Sequence, residues 1–168
     1  MENLDTRNII QYINNISKIL SEIISLNHYR LAVSEQYQNS GNKNPSDLLQ
    51  VNPQVMNSQI FSFIYNIFQN SNLSLGSLIT AVIYIDKIIN NKKFFLTEKN
   101  FFIMFITGIT LSMKYNQDYS LVRFLPNIVG LNKRQFAQFE TAFLELLDYE
   151  CYVAEDMFQL FHKEILSH

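Results

Sequence analysis

The sequence predicts an all-α fold: a five-helix unit preceded by an amphipathic helix and followed by a short helical extension. Three observations predict it. Apolar residues recur at helical spacing over long segments, polar breaks rich in capping residues separate those segments, and no repeat of about 20 to 50 residues indicates a solenoid. The 168 residues suffice for one domain with a real core and are too few for two comfortable ones. Hydrophobic residues make up 48% against 17% charged, and 14 Phe and 9 Tyr with no Trp supply bulky filling, so part of the apolar surface is expected to be kept for another protein.

Within residues 4–33, Ile9, Ile13, Ile16, Leu20, Ile23 and Ile24, with Tyr12 beside them, form one stripe on a polar segment and predict an amphipathic helix. Residues 34–54 turn polar and carry Asn39-Ser40-Gly41-Asn42, Pro45 and Pro53, which predicts a connector. The expected organisation is an N-terminal helix and connector over 1–53, a helical box over 54–153 and an extension over 154–168. Met56, Ile60, Ile64 and Ile67, flanked by Phe63 and Phe68, predict the first box helix, ended by Gln69-Asn70-Ser71-Asn72. Ser74 or Ser77 can cap the second, in which Leu78, Ala81, Val82, Ile85, Ile88 and Ile89 face one way until Asn90-Asn91-Lys92-Lys93.

Thr97 is positioned to cap the third box helix, residues 98–115, which is apolar on nearly every side and so belongs at the centre of a bundle. Lys114 sits in its last turn, where a cation complements the carbonyl end of the helix dipole. A short helix is expected over residues 121–129, limited by Pro126 and closed by Gly130. Asn132-Lys133-Arg134-Gln135 has the form of a capping box, and Phe136, Phe139, Phe143, Leu146 and Leu147 are expected as the buried stripe of the fifth helix, with Glu140 on its flank. After Asp148-Tyr149-Glu150, the residues Met157, Phe158, Leu160, Phe161 and Ile165 predict a last amphipathic helix lying over the bundle.

Charge and composition exclude several functions. A net charge of −2 with no Lys/Arg cluster longer than two neighbours lacks the footprint of a nucleic-acid binder. The single cysteine, Cys151, rules out an intramolecular disulfide and reads as a small buried hydrophobe in a reducing compartment. The amino terminus shows no signal-peptide pattern, and the greasiest run, residues 101–113, is short of the roughly 20 residues of a membrane span. An intracellular protein, nuclear or cytoplasmic, with no membrane partner is expected. His28, His162 and His168 have no ligand-spaced neighbours and read as surface or terminal residues, so no metal is expected, and the four glycines form no phosphate loop, so no cofactor is expected. No nucleophile and base are paired, which argues against an enzyme. Asp86 interrupts the apolar run Ile83-Tyr84-Ile85-Asp86-Lys87-Ile88-Ile89, and structural pairing is favoured over catalysis there.

Taken in order, Ala81-Val82-Ile83-Tyr84-Ile85-Asp86-Lys87-Ile88, then Leu111-Ser112-Met113-Lys114-Tyr115 followed by Asp118, then residues 139–149 (Phe-Glu-Thr-Ala-Phe-Leu-Glu-Leu-Leu-Asp-Tyr), resemble a cyclin box. The likeness is greatest to the short single-box cyclins of the phosphate-response (P/U) type and covers residues 54–153. It implies a five-helix domain that binds and activates a cyclin-dependent serine/threonine kinase, with no catalysis of its own. The resemblance further implies that Lys114 and Glu140 hydrogen-bond to kinase backbone beside its C-helix, and that Tyr115, Leu144 and Tyr149 supply the adjoining apolar contact. Lys114 and Glu140 are expected as exposed interface charges whose removal costs no more than about 1 kcal/mol.

The chain departs from the family at several positions. No Arg or Lys lies in residues 54–68 to pair with Asp86, which leaves Lys114 or Lys87 as its cation. The Met-Arg-Ala-Ile-Leu substrate-docking motif is missing, Lys87 stands where Arg is frequent, and Pro126 falls in the fourth helix. An alternative is a cyclin fold that binds no kinase and serves as a structural subunit of a larger assembly. A nucleic-acid-binding cyclin fold is disfavoured by the charge count.

Overall fold

The computed structural model describes residues 6–38, 53–71, 73–91, 94–115, 125–128 and 130–168. It is all-α, with no strand among the described residues: α1 (Thr6–Gln38), α2 (Pro53–Ser71), α3 (Leu75–Asn90), α4 (Glu98–Tyr115), α5 (Leu125–Ile128), α6 (Lys133–Leu146) and α7 (Glu155–Ser167). The chain divides into two compact units, Met1–Tyr65 with Phe95–Glu98, and Asn66–Phe94 with Lys99–His168. Pro45 and Asp118 lie outside the described residues.

In the first unit α1 runs five residues into the expected connector, because Glu35, Gln36 and Gln38 are good helix formers and neither Gly nor Pro precedes Gly41. Pro53, read as connector, instead opens α2, a position where a missing N–H costs nothing. Tyr12, Ile13, Ile16, Leu20 and Ile24 are buried, as are Met56, Ile60 and Ile64. Burial pushes the Tyr12 phenol up to about 12. Ser17 donates to the Ile13 carbonyl (2.7 Å), and Asn27 Nδ2 donates to the Leu96 carbonyl (3.1 Å), tying α1 to the segment ahead of α4. His28 is not the surface residue expected. It is half-buried, and its Nδ1, like Asn57 Oδ1, is sealed from solvent with no hydrogen-bond partner.

In the second unit Ser74, not Ser77, caps α3, accepting from the Ser77 N–H at 3.0 Å. One apolar face was expected on α3, yet Ile79, Thr80, Ile83 and Tyr84 are also buried, so α3 is enclosed much as α4 is. Gly108 explains how closely the helices approach. A Cβ there would lie 3.4 Å from the Phe143 ring and 3.5 Å from the Ala81 carbonyl, so α4 meets α3 and α6 at its one side-chain-free position. Across the same contact Ser112 Oγ lies 2.9 Å from the Ser77 carbonyl.

The Asn132–Gln135 capping box forms, with Gln135 N–H donating to Asn132 Oδ1 at 2.9 Å and Asn132 N–H to Gln135 Oε1 at 3.1 Å. Phe139 was expected in the buried stripe and is exposed. At 100° per residue, Phe136, Phe143 and Leu147 stay within about 20° of one line, while Phe139 falls about 60° to one side and Glu140 about 40° to the other. Of the short helix expected over 121–129, the structure describes Leu125–Ile128, and Gly130 follows at φ +70°. α7 packs on α3. It buries Ile165 and half-buries Phe158 and Phe161, whereas Met157 and Leu160, expected against the bundle, are exposed.

Candidate partner-docking site

Lys114 closes α4, and Glu140 stands two turns into α6 on the shoulder of its buried stripe. The two tips meet: Lys114 Nζ lies 2.5 Å from Glu140 Oε1. Their side chains are 37% and 16% exposed, so the two form an ion pair more buried than the exposed interface charges expected. An ammonium has three donors and a carboxylate about four acceptor directions, so one mutual hydrogen bond leaves both able to bond a partner. Removing the lysine alone strands a mostly buried carboxylate, and the cost rises from the small surface value expected to about 1–3 kcal/mol.

Tyr115, next in the chain, is 55% exposed, and Tyr149 is 64% exposed. Both line one cavity of about 380 Å³ together with Glu150, Cys151 and Tyr152. Leu144, one turn beyond Glu140, is half-buried, and its carbonyl accepts from the Tyr149 N–H at 2.8 Å. That bond and the one from Asp148 N–H to the Glu145 carbonyl (3.1 Å) form a Schellman closure of α6, with Asp148 and Tyr149 both at positive φ (53° and 62°). Lys114 and Glu140 thus come together as a pair, Tyr115 and Tyr149 come together on a cavity wall, and Leu144 is tied to Tyr149 through the backbone.

Asp86 stands apart from this group. Neither cation expected for it is its partner: Lys114 is held by Glu140, and Lys87 Nζ donates to the Tyr152 carbonyl at 2.9 Å. Asn90, one turn on, donates to Asp86 Oδ2 at 2.7 Å and takes the place of a cation. Burial, then the negative charge of Glu164 on α7, push the Asp86 carboxyl above its ordinary value, and the Asn90 bond only partly offsets them.

Nothing in the sequence predicts how the segment after α6 is tethered, and α3 holds it at two points. Tyr84 Oη donates to the Cys151 carbonyl at 2.7 Å, and Lys87 holds the next carbonyl. A tyrosine and a lysine three apart on α3 are the only sequence signal, and it is too common to be read unaided. Burial pushes the Tyr84 phenol up, and neighbouring Cys151 and Tyr115 add to it. Burial likewise raises the Cys151 thiol, against a smaller opposite pull from Lys87, which keeps it protonated and unreactive.

Among the described residues no group of three or more His, Cys, Asp or Glu is placed to hold a metal, and no helix is long and apolar enough to cross a membrane. The cyclin family model matches residues 10–151. The chain belongs to the cyclin family. No curated protein and no solved structure matches it. Membership implies a regulatory role of the cyclin kind.

Proposed function

We propose that this cyclin is the regulatory subunit of a cyclin-dependent serine/threonine kinase, docking through Lys114 and Glu140 with Tyr115, Leu144 and Tyr149 around them. The observation that carries the reading is the partly exposed ion pair formed by two residues 26 apart in sequence, with Tyr115, the residue after Lys114, on the wall of a cavity lined by aromatic side chains. Such a pair gives direction and register to a protein contact, while the aromatics supply buried area. Docking there swings the kinase C-helix inward, so that its glutamate pairs with the strand lysine that holds the ATP phosphates. That is a population shift of a two-state element.

Exchanging the charges, with Lys114→Glu and Glu140→Lys in one protein, separates docking from stability. The pair survives the exchange, so the thermal midpoint stays close to that of the wild type, but donors and acceptors facing the kinase are inverted and retention on it falls about tenfold or more. A kinase held equally by the exchanged protein would refute the site. Recovery from cells of a stable assembly with no kinase in it would favour a structural subunit.

A further inference from the structure

A second cavity, of about 200 Å³, adjoins the one described and shares Tyr115 and Cys151 with it. Tyr84, Val153, Glu155 and Phe158 also line it. The joined walls therefore carry five aromatic residues (Tyr84, Tyr115, Tyr149, Tyr152 and Phe158) and two carboxylates, Glu150 and Glu155, with no basic side chain. Residues 145–156 add Glu145, Asp148 and Asp156 and contain no cation. Of the lysines beside the cavities, Lys114 is paired with Glu140, while Lys87, bonded to the Tyr152 carbonyl, keeps its charge and is outnumbered by the two carboxylates of the walls. The Tyr84 side chain is fully buried and its hydroxyl is taken by the Cys151 carbonyl, so the rings available to a guest are the exposed ones of Tyr115, Tyr149 and Tyr152.

Aromatic faces attract a cation through their quadrupole, and a guanidinium does this best among side chains because it is planar, weakly hydrated and able to fork two N–H groups onto a carboxylate. A phosphate or an acidic peptide would meet two carboxylates and no donor cation. We infer that the paired cavities accept an arginine side chain presented by an extended segment of a partner protein, its guanidinium stacked among the tyrosines and hydrogen-bonded to Glu150 or Glu155. The inference holds whether or not that partner is a kinase, so its failure leaves the kinase reading untouched.

The test uses the full chain and a blocked Arg-Gly peptide, with matched peptides in which citrulline, lysine or leucine replaces arginine. Citrulline keeps the shape and loses the charge. Amide shifts on titration should saturate and concentrate at Tyr115 and residues 149–155. The citrulline and leucine peptides should bind about tenfold more weakly, lysine should fall between, and added salt should weaken the arginine peptide. Glu150→Gln with Glu155→Gln, both at exposed positions, should lower affinity about fivefold without moving the thermal midpoint. Tyr152→Leu, which keeps the backbone bond from Lys87, should lower it as well. Equal binding of the citrulline or leucine peptide, shifts scattered over other acidic surfaces, no saturable shift at millimolar peptide, or indifference to both variants would each overturn the inference.

Discussion

Asp148 and Tyr149 hold a conformation that disfavours any side chain, the left-handed region, where an L-residue costs about 1–2 kcal/mol relative to glycine. Aspartate tolerates it better than most, while tyrosine has no such advantage. The ring at 149 is 64% exposed, so its own packing does little to offset the strain. The strained residue sits on the wall of the proposed docking cavity, which suggests that the ring is kept for contact and not for folding. Tyr149→Gly should therefore raise stability by up to about 1 kcal/mol in urea melts while reducing kinase retention. A variant that lost both would show that the ring serves the fold.

Among the helices, α4 depends on one small residue. A methyl at Gly108 makes ordinary contacts with Phe143 and Ala81, and alanine gains about 1 kcal/mol of helix propensity, so Gly108→Ala should be neutral or slightly stabilising. Gly108→Leu has nowhere to go between α3 and α6 and should cost about 1–3 kcal/mol or more in the same melts. The α3–α7 contact carries a charge conflict instead, Asp86 facing the field of Glu164. A carboxyl whose folded pKa is raised binds protons more readily folded than unfolded. Its ionisation therefore destabilises the fold at neutral pH, and the penalty disappears as pH falls through the raised value toward the ordinary 3.8. Asp86→Asn should raise the melting temperature at pH 7, with the gain over wild type shrinking to nothing near pH 4. A gain independent of pH would place the cause elsewhere.

For the whole molecule, what was legible in the sequence is what repeats along a helix. The stripes of α1 and α2, the Asn132–Gln135 box and the greasy centre of α4 follow from spacing and side-chain chemistry alone. The resemblance set Lys114 and Glu140 side by side, and they do meet. Other contacts between segments far apart in the chain were not legible: the hold of Tyr84 and Lys87 on residues 151 and 152 and the neutral partner of Asp86 depend on which helix faces which. Phe139 was misplaced because the five residues of the expected stripe do not share one line: Phe136, Phe143 and Leu147 lie on it and are buried, and Phe139 falls to one side. α7 shows the same divide. The family match ends at residue 151, ahead of α7, yet α7 lies on α3 and buries Ile165 with parts of Phe158 and Phe161. Deleting residues 155–168 uncovers that face of α3, and the lost apolar burial should lower stability by about 3 kcal/mol or more. The same deletion removes Glu155 and Phe158 from one cavity but leaves Lys114, Glu140, Tyr115 and Tyr149 in place. A truncated chain should therefore melt earlier and still retain the kinase below its lowered midpoint, whereas retention lost while the chain stays folded would make α7 part of the docking surface.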